Sequence, residues 1–334
     1  MTTMNTQLGV VDEVTYGTPV TVTRFFEFNK WSVALDQARV ESVGMRSGTR
    51  TARADRFEPY TKGAGGSFEL DVPTKGFGFW LKHMLGTVAS GTVVDSNYTH
   101  TGTEGTLLGD FFTAQVNKPF HPAGTAQAHT YHGCKLTKWE LACDVDGVLV
   151  FSGDIDAEDE DTSTGLASAS YPSDYRVFSF AGASMTFAAG AVELKNFKVG
   201  ADLGLDVERR FLRGSALKKE PTENAMRTYS WSAVAEHTAL TNFDRYRSAT
   251  RVGALAAIVA TFNGPVAHGG TTLPQVTVTL PLARFDACKF DIEGPAGLMD
   301  AMSGVALSDT GSPSTITYRT TDSAIGAMAS TLKS

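Results

Sequence analysis

Across most of this 334-residue chain apolar side chains recur at every second position, a spacing suited to a half-buried β-strand and to little else. In Ser67-Phe68-Glu69-Leu70-Asp71-Val72 the alternation puts Phe68, Leu70 and Val72 on one face and Glu69 and Asp71 on the other. Thr, Val, Phe and Tyr fill such runs, and Gly or Pro punctuates them. Residues 139–143 and 148–151 flank Asp144-Val145-Asp146-Gly147, which predicts a hairpin, and the Asp146-Gly147 pair suits a primed turn. Only two stretches carry helical spacing. Residues 74–85 place Phe77, Leu81, Met84 and Leu85 on one side, with Gly86 as a stop. Residues 239–250 place Leu240, Phe243 and Tyr246 likewise. The expected fold is mainly β with few helices.

The order of these elements recurs. In the first half, strands at 25–28 and 33–42 precede a basic loop at 45–65. A strand at 67–72, the first helix, a strand at 112–116 and a long hairpin at 135–156 follow. In the second half, strands at 184–187 and 192–201 precede a basic loop at 208–227. Then come a strand at 229–235, the second helix and strands at 257–262, 275–280 and 284–292. This order reads as a tandem duplication, against the competing reading of coincidence in a β-rich chain. The expected domains are 1–168 and 169–334. Between them, after the acidic run 154–161, residues 165–174 turn small and polar.

Hydrophobic residues at 42% and charged residues at 19% permit a buried core and argue against global disorder. The net charge of -7 is the wrong sign for a protein that grips duplex DNA by neutralising phosphates. Residues 1–10 lack the basic start and apolar core of a signal peptide, and no apolar run nears the ~20 residues that span a bilayer. Cys134, Cys143 and Cys288 are odd in number and lack CxxC spacing, so buried, reduced thiols are expected.

Several motifs read better as structure than as chemistry. His129 and His132 lack a ligand set at zinc spacing, and Cys134 beside them suits a buried strand cysteine better than a nucleophile. The stretch 144–147 opens like a calcium loop, but no glutamate completes its frame. Lys75-Gly76-Phe77-Gly78 is no P-loop. No catalytic constellation and no cofactor site emerges, which points away from an enzyme.

The opening Asp12-Glu13-Val14-Thr15-Tyr16-Gly17-Thr18-Pro19-Val20 resembles the N-terminal signature of the siphophage tail tube family. So do residues 66–70 with 74–86, Thr130-Tyr131-His132-Gly133-Cys134-Lys135, the hairpin end 143–147, the run 158–164 and Lys218-Lys219-Glu220-Pro221. These matches run in order from about residue 10 to 264. The resemblance implies β-sandwich or split-barrel domains, each with one flanking helix, that join into rings and stack into a tube for phage double-stranded DNA. It implies a non-contractile tail, assembly in the host cytoplasm and a place in the virion. The implied partners are the chain itself and the tail tape-measure, tail-terminator and tail-tip proteins; none is a membrane. With two domains per chain, a homotrimeric ring of pseudo-sixfold symmetry is expected, with a hexamer as the alternative. A virion binding or decoration module and a secretion-tube-like subunit are the competing functions.

Against that frame three surfaces acquire candidates. For ring-to-ring contact these are Arg46, Arg50, Arg53, Arg56, Phe57, Tyr60 and Lys62 in the first basic loop, and Arg209, Arg210, Arg213, Lys218 and Lys219 in the second. The acidic run 154–161 is their expected counterpart across the interface. For a lumen that repels phosphate, the candidates are Glu69, Asp71, Asp154, Asp156, Asp291 and Glu293. Strands 67–72 and 148–156, each with one polar face, suit lateral joining.

Overall fold

The computed structural model of the protein describes residues 3–91, 95, 97–121, 124–173, 175–247, 255–267, 271–290, 292, 294–295, 297–309 and 311–323. The chain is mainly β, as the alternation requires, and its strand pairs are antiparallel. The first half opens with β1 (Leu8–Asp12), β2 (Arg24–Phe26), β3 (Lys30–Trp31), β4 (Ala34–Glu41) and β5 (Phe57–Asp71). After α1 (Gly78–Leu85) come β6 (Gly86–Ser90), β7 (Tyr98–Glu104) and β8 (Phe112–Asn117). It closes with β9 (Ala128–Asp144), β10 (Val150–Ala157) and β11 (Asp159–Asp161). The second half opens with β12 (Ala183–Phe187), β13 (Gly190–Ala191) and β14 (Leu194–Asp202). The short β15 (Leu205–Asp206) and β16 (Thr222–Glu223), then β17 (Thr228–Glu236) and α2 (Thr241–Arg247), follow. Last come β18 (Ala256–Asn263), β19 (Gln275–Lys289), β20 (Met299–Leu307) and β21 (Thr315–Thr320).

One long sheet crosses both halves in the order β4–β5–β10–β9–β14–β17–β20–β19, with β3 beside β4 on the edge of β5. A second layer is ordered β2–β1–β8–β9–β11 in the first half. Its counterpart in the second half is ordered β13–β12–β18–β19–β21. The two halves therefore share one pairing order in both layers. β21 also pairs with β7, and β7 with β6, which ties the second half back to the first.

Two bent strands make this possible. β9 pairs with β8 as far as Cys134 and with β10 from Lys135, and its register against β10 shifts between Asp154 and Ile155. β19 pairs with β18 as far as Ala283 and with β20 from Leu282, with a shift between Phe285 and Ala287. A bulge bends its strand, so one chain segment serves both layers. The two strands expected at 275–280 and 284–292 are thus one. Pro281 reads in sequence as a break, yet it falls in the irregularity against β18 where no ladder bond is needed.

The core gathers on α1. All eight of its residues are buried, not one side alone, because strands of both layers and β6–β7 enclose it. Trp80 stacks on Phe68 at 4.7 Å and meets Phe151 at 5.5 Å and Phe112 at 5.7 Å. Lys82 and His83 are buried with it, and both are answered by Asp12: Lys82 Nζ lies 3.1 Å and His83 Nε2 3.0 Å from Asp12 Oδ1. Burial pushes the Asp12 carboxyl up, but the His83 and Lys82 contacts prevail and hold it below the usual carboxylate range. The helix starts at Gly78, later than expected. Thr74 donates its N–H to Arg176 O at 2.8 Å, and Gly76 has φ 85°, outside helical space. α2 has no buried residue and begins at Thr241; residues 248–250 of the expected helix lie outside the described residues.

The turn between β9 and β10 is not primed. Asp146 alone has positive φ (65°), and Gly147 N–H returns to Asp144 O at 3.0 Å. The two strands diverge here: Cys143 and Asp144 pair with β14, while Val148 bridges Ser179. A two-residue turn would hold them together.

Because Trp80 is wholly enclosed, Trp80→Ala should cost about 3–5 kcal/mol in denaturant unfolding. Tyr246→Ala on the exposed α2 should stay within about 0.5 kcal/mol.

Candidate assembly surfaces

The long sheet has one buried and one polar face, and the polar face runs unbroken across the junction of the halves. Phe68, Leu70, Phe151, Trp139, Leu141, Phe197, Val199 and Trp231 point to the core. Between them stand Glu69, Asp71 and Asp154, as the alternation predicts, together with Lys138, Glu140, Lys198 and Asp202. At the β9–β14 junction Lys138 Nζ lies 2.9 Å from Asp202 Oδ2, and Lys198 Nζ lies 3.7 Å from Glu140 Oε1. At the far end Arg284 Nε meets Asp286 Oδ1 at 2.5 Å. The face is therefore mixed in sign rather than purely acidic, but these three cations have carboxylates at hand. Asp291 and Glu293 lie outside the described residues.

Asp156 departs from that row. Its side chain is an ion-pair partner of the buried Lys218, and burial, first among several causes, pushes its carboxyl up to about 6. Lys218 belongs to the second basic segment, which does not project. It is folded down onto the first half of its own chain. Lys62 N–H donates to Ala216 O at 3.1 Å, and Arg210 Nη1 donates to Lys62 O at 3.1 Å and to Ala216 O at 2.7 Å. Arg209 Nη1 donates to Glu220 O at 2.5 Å and Arg213 Nη2 to Leu217 O at 3.0 Å. Lys219 sits over the Phe211 ring at 5.1 Å. Glu220 in turn holds Lys135 Nζ at 2.6 Å beneath the segment. The acidic run thus finds its basic partners within the chain, Asp156 with Lys218 and Asp159 with Lys62.

The first basic segment behaves differently. It is a loop only from Ser42 to Arg56; from Phe57 onward it is the outer half of β5, paired with β4 from Glu41↔Phe57 to Ala34↔Gly65. Pro59 and three glycines hide the alternation in sequence, and the ladder admits Pro59 where its register shifts beside Arg39. Every residue of β4 is exposed, so the outer strand and tip of this hairpin stand away from the body, while Lys62, Gly63 and Ala64 at the base of β5 rest against it. Arg46, Arg50 and Arg56 are exposed along its tip, and Arg53 pairs with Asp55. Phe57, under the Arg39 guanidinium at 5.5 Å, and Tyr60 are exposed on its stem, with Val43 and Met45 at the tip. The ribbon thus leaves Val43, Met45, Phe57 and Tyr60 uncovered.

The N-terminal signature has a structural role that sequence reasoning missed. The Glu13 carboxylate is buried and accepts three bonds, from Gly17 N–H at 3.0 Å, Thr113 Oγ1 at 2.7 Å and Gly133 N–H at 2.8 Å. It pins the N-terminal turn to the bend of β9. A Cβ on Gly133, at φ 61°, would come within 2.8 Å of Glu158 Cβ, which explains a glycine at that bend. The pairing of two signature stretches far apart in sequence was the available clue.

The other motifs are built into the fabric. Cys134, Cys143 and Cys288 are free and buried, and burial pushes the Cys143 and Cys288 thiols up to about 11. His129 pairs with Glu160, and His132 lies 3.8 Å from Glu158. Among the described residues no group of His, Cys, Asp and Glu has the makings of a metal site, and no helix is long and apolar enough to cross a membrane.

A mainly-β subunit with a long polar-faced sheet and a projecting ribbon is an assembly component in form. The chain belongs to the phage tail tube protein family, whose family model matches residues 3–324. It is accordingly a structural protein of the phage tail, one of a family that self-assembles into a tube. No curated protein matches it.

Two expectations follow. Lys218→Met, which strands Asp156, should destabilise the fold by about 3 kcal/mol, and adding Asp156→Asn should recover part of that loss in a double-mutant cycle. Glu13 has a folded pKa raised by burial from 4.5 to about 7. Its stabilising contribution is therefore full below pH 4.5 and lost as pH rises through about 7. Thermal melts across that window should show wild type losing stability relative to Glu13→Gln.

Proposed function

We propose that three copies of this chain close into a pseudo-sixfold ring, and that stacked rings form the tube through which phage double-stranded DNA is ejected. The observation that carries this reading is the long sheet: each half contributes four strands in one order, and the two sets are already joined edge to edge within the chain. On this reading the halves are two tandem tail-tube domains. Residues 162–178, which include the expected boundary, lead from β11 toward β12. Twenty-four strands at ~4.8 Å spacing would close on a circle about 37 Å across, wide enough for a duplex.

The polar face then lines the lumen. Three of its cations fit this placement as its acids do. At Lys138, Lys198 and Arg284 a phosphate would have to displace Asp202, Glu140 or Asp286 to gain a contact, so passing DNA finds little to hold at those positions. The ribbon of β4 and outer β5, with Arg46, Arg50, Arg53, Arg56, Phe57 and Tyr60, reaches the next ring. The second segment, with Arg209, Arg210, Arg213, Lys218 and Lys219, braces the ring from within. A flexible, non-contractile tail and contacts with tape-measure, terminator and tip proteins complete the reading.

Negative-stain microscopy of the purified protein should show hollow tubes or rings with six-lobed end views, at three chains per ring by mass. Monomers at all concentrations would overturn the reading, and six chains per ring would overturn the stoichiometry. Replacing residues 43–55 with a short turn should leave rings intact while abolishing their stacking.

A further inference from the structure

The joint between the two halves specifies the joint between copies. Across the first four strands of the long sheet one row of opposed residues reads Trp31, Phe68, Gly153, Trp139. Across the last four the matching row reads Phe197, Ala233, Met302, Cys288. The bends confirm the match of β9 with β19. Counting from the last residue paired to the second layer, Cys134 or Ala283, the residue skipped against the neighbouring strand is Thr137 in one and Asp286 in the other, the same step along.

Within the chain, the outer edge of β9 beyond its bend is filled by β14: Lys138 faces Asp202, Trp139 faces Ala201 and Glu140 faces Gly200. The corresponding edge of β19 has no strand paired to it among the described residues. At the other end of the sheet, β3 and β4 hold on β5 the place that β14 holds on β17, and their outer edge is also unpaired among the described residues. The burial difference matches. Ala201, under β9, is 5% exposed, whereas Leu35, its counterpart, is 42% exposed.

We propose that residues 287–289 of one copy pair antiparallel with residues 34–36 of the next, in the register of the internal joint: Ala287 opposite Asp36, Cys288 opposite Leu35 and Lys289 opposite Ala34. This rests on the ring reading above and adds to it the two edges and their alignment. Trp139 faces the residue four places beyond Phe197, so Cys288 faces the residue four places beyond Trp31, which is Leu35. The chemistry agrees. Leu35 gains cover beside Cys288 on the core face, and Lys289 on the polar face lies diagonal to Asp36, a separation that a long side chain spans. Pairing also satisfies two rows of backbone donors and acceptors that otherwise invite uncontrolled association.

The test uses the full chain in its assembled form. Ala34→Cys with Lys289→Cys places two thiols at directly opposed positions on the polar face, about 4.5–5.5 Å apart at Cα, within disulfide reach. After oxidation of assembled protein, non-reducing gels should show covalent dimers and trimers, and nothing larger. Asp36→Cys with Lys289→Cys, two residues out of register on the same face, should cross-link about tenfold less. Leu35→Cys alone, facing the native Cys288 thiol, gives an independent readout should the double variant not assemble. Rings that form normally but cross-link in neither design, or equally in the slipped one, overturn the register while leaving the ring reading intact. Failure of the wild type to form rings overturns the ring reading itself.

Discussion

The ladder between β9 and β14 is the contact on which the rest of the molecule depends. Backbone N–H and C=O groups at a strand edge need partners, and a sheet that ends in solvent leaves a row of them exposed. Here β9 of the first half and β14, the first main-sheet strand of the second, satisfy each other from Asn196↔Asp144 to Asp202↔Lys138. That junction turns two four-stranded units into one surface with a common polar face, and it leaves the sheet unfinished at its two ends.

The bends in β9 and β19 give that sheet its second layer. Each strand changes partners at a bulge, so the two layers are joined by continuous backbone rather than by loops. The space between layers in the first half is filled by α1, whose enclosure requires that even its polar residues be answered inside. Asp12 answers Lys82 and His83, and Glu13, the next residue, ties the same turn to the bend of β9. The string at 12–20 is thus a clasp on the bent strand and the helix together, not a surface motif.

Alternation made the strands legible wherever each residue alternated between core and solvent, as in 67–72 and 229–235. It failed where residues are small or where the strand changes layer. Pro59, Gly63, Gly65 and Gly66 hid the outer half of β5, and Pro281 split β19 in two. Helical spacing located both helices but said nothing of what covers them. Leu81, Met84 and Leu85 lie on a helix buried all round, while α2 has no buried residue, its Phe243 half-buried and its Tyr246 exposed. The two basic segments look alike in composition and differ in fate. The second has Asp156 and Lys135 of its own chain to dock on through Lys218 and Glu220, a relation that no local pattern encodes. The basic charge of residues 46–62 was legible in the sequence, but the open sheet edges became visible only once the pairing order was known.

The return of β21 to β7 bears on mechanics. Besides the docked segment 208–220, two strand ladders fasten the second half to the first, β9–β14 in one layer and β21–β7 in the other. Two fastenings at different depths resist twist and hinge alike, so the pair of halves moves as a stiff plank. In any cylinder made of such planks, compliance alternates around the circumference between covalently linked seams that do not yield and docked seams that do.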